Sequence, residues 1–156
     1  MTDRAIIAVG VDETDSSRRA LAWAAQEALR RGACLRVITA WSWEAVESAP
    51  LVAVDPEAML SLADQTQRDA ITAVIGPMSI KPSMEREVVQ CTAAEALVDA
   101  SQHAVLVVVG THGRGPVRSF LLGSVSLSVI KHAACPVVVM PPVATSARED
   151  LAATSR

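Results

Sequence analysis

The residues best suited to chemistry lie between positions 110 and 126. The run reads Gly110-Thr111-His112-Gly113-Arg114-Gly115, then Pro116 to Leu122, then Gly123-Ser124-Val125-Ser126. Its spacing is Gly, two residues, Gly, nine residues, Gly, Ser. A glycine has no Cβ, so its backbone can come close to a ligand and can reach positive φ. Successive N–H groups left unpaired in such a turn form a concavity that binds anions. A helix opening near Ser124 would aim further amides, and the positive end of its dipole, at the same place. Ser124 and Ser126 offer hydroxyl donors, and Arg114 a charged fork of N–H groups. The ligand chemistry these features suit is a phosphate.

Two commoner phosphate loops are excluded. The chain contains no GxxxxGK[ST], its lysines being Lys81 and Lys131. Nor does GxGxxG follow the first apolar run, where Gly10-Val11-Asp12-Glu13 supplies a single glycine. His112 has the chemistry of a general acid or base, but no nucleophile or acidic partner is identifiable beside it, and it reads as an exposed loop residue. Asp64, Arg68 and Asp69 read as a solvated helix face rather than a metal site. Trp41 and Trp43 read as packing residues.

Alternating strands and helices must position this loop. Apolar runs at 5–9, 34–40 and 104–109 read as buried strands. The run 84–90 carries Glu85, Arg86 and Glu87 and reads as a strand near an edge. A fifth strand spans Pro136–Met140, stopped by Pro141 and Pro142. Between them, helices are predicted over about 16–31, 56–75, 92–102 and 124–133. Their signals are Gly32 after the first, Asp55-Pro56 before the second and the Thr92…Glu95 capping box before the third. This β-α-β-α-β-α-β-α-β order predicts an α/β fold, a parallel sheet with helices on both faces. In such sheets ligands bind beyond the carboxyl ends of the strands, at the point where the strand order reverses. The loops after Val9, Ala40 and Val109 are therefore the candidate walls.

The chain has 156 residues, 51% of them hydrophobic and 3% aromatic, enough for one core filled by aliphatic side chains. A net charge of −3 without a basic cluster argues against nucleic-acid binding. Charged residues, Gly or Pro interrupt every apolar run short of the roughly 18 residues a membrane span needs. Cys34, Cys91 and Cys135 are scattered without CxxC spacing, as in reduced cytosolic proteins. No secretory leader is expected, so the location predicted is cytoplasmic. The domain is expected over residues 1–143, with a frayed tail over 144–156.

The Gly-x2-Gly-x9-Gly-Ser pattern resembles the ATP-binding signature of the universal stress protein family. The likeness extends to Val9-Gly10-Val11-Asp12 with Ser16, Ser17, Ala20, Leu21, Trp23 and Ala24. It extends also to Leu122–Ser126 and to Ala134-Cys135-Pro136 through Val139. One departure is that Cys91 and Ala93 stand where the family often has Gly and Pro. The resemblance implies a single doubly wound five-stranded sheet in the order 3-2-1-4-5, Rossmann-like and of the adenine nucleotide alpha hydrolase-like type. It implies homodimers through the last strand.

The resemblance further implies a site in which Asp12 holds the ribose or adenine end. Thr39 and Ala40 line the adenine pocket, and Gly110, Gly113, Gly123 and Ser124 hold the phosphates. Val125 and Ser126 complete that loop, and Gly10 lies close to the nucleotide. Thr111, His112, Arg114 and Gly115 fall within it. The cofactor implied is ATP; Asp12 and Glu13 could help hold Mg2+ through the nucleotide, or the ion could keep its waters, and the sequence does not choose between them. The function implied is a nucleotide-dependent regulatory module in stress response or growth arrest, with weak ATP hydrolysis at most. A slow ATPase or nucleotidyl-transfer enzyme and a cyclic AMP-binding relative are the alternatives. A branched side chain would block the phosphate approach, so Gly113→Val is expected to abolish ATP affinity in calorimetry while circular dichroism stays native. Unchanged affinity would remove the loop from the site.

Overall fold

The computed structural model describes residues 4–42, 55–111 and 122–141. Their order is β1 (Ile6–Gly10), α1 (Asp15–Arg31), β2 (Cys34–Trp41), α2 (Pro56–Val74), β3 (Met84–Gln90), α3 (Ala93–Ser101), β4 (Leu106–Gly110), α4 (Ser124–His132) and β5 (Val137–Met140). All nine predicted elements are present. The expected tail over 144–156 lies outside the described residues.

Local chemistry sets the helix ends. Thr14 caps α1 by accepting from the Ser17 N–H, so the helix opens at Asp15, one residue before the expected start. Gly32 ends it in the left-handed region, with φ 62°. Asp55 caps α2 ahead of Pro56. Thr92 and Glu95 form the reciprocal capping box of α3. Helix α4 differs. Its N-cap is Gly123, and among the described residues no side chain caps it. The last strand starts at Val137 rather than Pro136. The Pro136 carbonyl accepts from Val107 at 3.0 Å, but the ring nitrogen has no hydrogen to donate.

The strands form one sheet in the order β3-β2-β1-β4-β5, every pair parallel. Ile7 pairs with Leu35 on one side and Leu106 on the other, so β1 is central. Strand side chains alternate between faces. Ile7, Val9, Leu35, Val37, Leu106 and Val108 meet α1 and α2 on one face. Ala8, Ile38, Val107 and Val109 meet Leu97, Ala100 and Val129 of α3 and α4 on the other. Helix α1 contributes Ala20, Ala24, Ala25 and Ala28, all fully buried, so it lies close on the sheet without aromatic filling. As their charges predict, Glu85, Arg86 and Glu87 are exposed on the edge strand β3. Among the described residues no helix is long and apolar enough to cross a membrane.

Candidate functional site

A cleft opens at the carboxyl ends of β1, β2 and β4, where the chain order reverses between β1 and β4. Its lining is Gly10, Val11, Asp12, Ser17, Ile38, Ala40, Ala93, Leu97, Val109, Gly110, Thr111, Val125 and Ser126. Seven sequence-predicted residues therefore converge: Gly10, Asp12, Ala40, Gly110, Thr111, Val125 and Ser126. Most of the wall is apolar. The polar groups cluster around Asp12 and Ser17 at the start of α1, and around Thr111 and Ser126 near the start of α4.

Asp12 is held by its neighbours. Its Oδ1 accepts from the Thr14 N–H at 2.8 Å and from the Thr14 hydroxyl, an Asx turn that leads into the helix. Its own N–H donates to Ser17 Oγ at 3.2 Å. Oδ2 has no hydrogen-bond partner among the described residues, so the partly buried carboxylate retains acceptor capacity in the cleft wall.

The opposite wall is tied just as locally. Gly123 N–H donates to Thr111 O at 2.7 Å, which pins the start of α4 to the end of β4. Ser126 is buried, and its hydroxyl lies 3.0 Å from Gly123 O and 3.3 Å from Thr111 O. That hydrogen is thus directed at backbone carbonyls, and the hydroxyl oxygen's remaining capacity is as an acceptor. Among the described residues no side chain caps the amides at the start of α4.

Other predicted residues sit elsewhere. Thr39 is buried behind the wall, with Oγ1 donating to Val11 O at 2.9 Å. Gly123 is the N-cap of α4 and Ser124 its exposed first residue, neither on the lining. His112, Gly113, Arg114 and Gly115 lie outside the described residues. Among the described residues no group of three or more His, Cys, Asp or Glu could hold a metal ion.

The glycines acquire specific causes. A Cβ on Gly110 would lie 2.6 Å from Ser16 Oγ and 2.9 Å from the Ser16 carbonyl carbon, so the first turn of α1 occupies that space. A Cβ on Gly10 would meet Leu97 Cδ1 at 2.9 Å, the end of a side chain that can turn away. Neither has positive φ, which among the described glycines belongs to Gly32. The bareness of Gly110 is thus explained by helix–strand packing.

Sequence reasoning missed Val11, Ser17, Ile38, Ala93, Leu97 and Val109 on the lining. Val11 and Val109 adjoin predicted residues and were within reach of it. Ala93 and Leu97 reach the cleft because α3 passes over the end of β1, which no local pattern announces. Cys91 follows directly on β3 and is not on the lining. Burial, and then the charge of Glu95, push its thiol up, so it stays protonated and a poor nucleophile at neutral pH.

Comparison with known proteins gives a consistent family. A model of the universal stress protein family matches residues 4–141. Universal stress protein Rv2005c of Mycobacterium tuberculosis is 41% identical over 138 residues, covering 85% of this chain and 44% of that protein. Universal stress protein Rv2623 of the same species is 35% identical over 139 residues, covering 86% and 46%. The chain thus spans about half the length of these curated relatives.

Among solved structures, UspA of Lactobacillus plantarum superposes with a TM-score of 0.69 at 22% identity, over 89% of this chain and 99% of that one. A universal stress protein in complex with cAMP superposes at 0.56 with 26% identity, over 88% and 97%. One from Archaeoglobus fulgidus in complex with dAMP does so at 0.65 with 23% identity, over 90% and 99%.

Replacing Gly110 by Ala should force the first turn of α1 away from β4, because the clash includes backbone. The expected cost is about 1–3 kcal/mol, read as a lower midpoint in thermal or urea unfolding. A midpoint unchanged from the parent protein would show that α1 yields freely there.

Proposed function

The chain belongs to the universal stress protein family, and from that premise we propose that it is a nucleotide-dependent regulatory module whose ligand is ATP. The observation that carries this reading is the composition of the cleft at the point where the strand order reverses. Apolar side chains of Val11, Ile38, Leu97 and Val125 and the small Ala40 form walls suited to a flat base. Asp12 retains acceptor capacity that suits ribose hydroxyls. The uncapped amides of α4 supply donors and a positive dipole end for phosphate. Thus the residues present fit an adenine nucleotide without a lysine. Mg2+ would enter with the phosphates and retain most of its waters. Binding would stabilise the folded state by mass action, which is how occupancy becomes a signal in stress response or growth arrest.

A second reading, cyclic AMP as ligand, is favoured by one observation. The structural neighbour bound to cAMP is 26% identical, and cyclic AMP presents the same adenine with a single phosphate. Calorimetry with ATP, AMP and cyclic AMP separates the readings. ATP is expected to bind tightest, and Asp12→Ala to weaken it about tenfold, about 1.4 kcal/mol. Displacement of ATP by cyclic AMP at lower concentration would transfer the site to the second reading. No binding of any of the three would end both.

We also propose that two copies pair through β5. That strand is at the sheet edge, and α4 beside it exposes Leu127 and Ile130. Unpaired edge groups are satisfied when a second strand is added. Sedimentation is expected to return the mass of two chains, and the mass of a single chain across the micromolar range would refute the pairing.

A further inference from the structure

Gln67 is fully buried on the inner face of α2, in line with Ala63 and Ala70. An apolar residue would fill that place without a desolvation cost. Instead the Gln67 Nε2 lies 3.0 Å from Val37 O and 2.9 Å from Glu87 O. Carbonyls only accept, so the amide must turn its nitrogen toward the strands. Its Oε1 is left with no partner among the described residues. A buried amide kept at this cost has a use beyond filling space.

Its third contact suggests that use. With two hydrogens for three acceptors, Nε2 shares one of them with Thr39 Oγ1 at 3.2 Å, and Thr39 Oγ1 donates onward to Val11 O at 2.9 Å. Val11 O is one edge of the peptide unit whose other edge is the Asp12 N–H. That N–H donates to Ser17 Oγ at 3.2 Å. The Val11–Asp12 peptide plane is therefore gripped from β2 on one side and from α1 on the other. Bonds that all donate in one direction polarise one another, which stiffens the series. Neither Gln67 nor Thr39 is on the cleft wall, whereas Val11 and Asp12 both are.

We propose that Gln67 and Thr39 are positioning residues, which fix the Val11–Asp12 peptide and so set where the Asp12 carboxylate stands in the cleft. The resemblance assigned Thr39 to the adenine pocket itself, and the geometry gives it this indirect role instead. The consequence for affinity rests on the nucleotide reading, while the positioning rests on the hydrogen bonds alone.

The test uses Thr39→Val, Thr39→Ser and Gln67→Met in the whole chain, with two measurements. The first is amide hydrogen exchange in the ligand-free protein, with the Val107 and Val108 amides as internal reference. Thr39→Val and Gln67→Met should each speed exchange at Asp12 about tenfold relative to that reference, and Thr39→Ser should restore it. Should Gln67→Met fail to fold, the two Thr39 variants carry this arm.

The second measurement is ATP affinity. Thr39→Val should weaken it about tenfold, Thr39→Ser should rescue it, and in an Asp12→Ala background Thr39→Val should cost nothing further. Unchanged exchange at Asp12, or an equal rise throughout the sheet, overturns the proposal. So does an ATP loss that persists in full without the Asp12 carboxylate. If the parent protein binds no adenine nucleotide, the ligand reading fails on its own, and the exchange arm still decides the positioning.

Discussion

The direction in which the crossovers leave the sheet governs the rest of this structure. From β1 the chain moves outward through α1 and β2, then through α2 to β3. It returns past β1 to β4 and moves outward again to β5. With right-handed crossovers, the two outward paths put α1 and α2 on one face and α3 and α4 on the other. At the boundary between β1 and β4, the connections leaving neighbouring strands diverge. The cleft forms there because neither helix layer can cover the carboxyl ends of both strands. Residues far apart in the chain, such as Asp12, Ala40 and Val125, meet on its walls because they follow β1, end β2 and open α4.

That arrangement demands close packing, which explains much of the composition. The alanines of α1 bring its backbone close to the sheet, and Gly110 admits the Ser16 turn against the end of β4. Hence the few aromatic residues are no deficit of core, since the space between α1 and the sheet suits small side chains. The same closeness holds the start of α1 beside the end of β4. Asp12 and Ser17 then become both the entry of a helix and part of a cleft wall, with the Thr14 cap between them. Their hydrogen bonds serve the fold first, and Asp12 Oδ2 remains over.

Much of this was legible in the sequence because the signals are local. Apolar runs, caps and helix stops located all nine elements, with ends differing by one or two residues where a cap such as Thr14 or a proline such as Pro136 decides. The charges of β3 identified an edge strand because they are confined to an element that cannot be covered on both sides. The strand order came from a resemblance rather than from periodicity, which carries no information about neighbours. Gly10, Asp12, Ala40 and Gly110 were within reach because they end strands or directly follow them. Leu97 was not, because its role depends on α3 crossing a distant strand. Gln67 had one signal, a polar residue in the Ala63–Ala70 stripe, but its meaning lay in partners 20 to 30 residues away. Thr39 was found for a contact role and shown to stand behind the wall.

The two ends of the glycine pattern also separate. Gly110 is bare because a helix turn fills the space a Cβ would take. Its absence of side chain is therefore used within the fold and gives no independent support for phosphate. Gly123 differs: it caps α4 without a side chain, and among the described residues that helix's first amides have no side-chain partner. A serine or aspartate there would have satisfied one of them and placed its own oxygen where an anion would sit. Glycine gives up only about a few tenths of a kcal/mol against such a cap, so its place there costs the fold little while setting no cap side chain of its own before those amides. The nucleotide reading thus gains its phosphate end from what Gly123 does not supply, and its ribose end from the one Asp12 oxygen that the turn leaves unused.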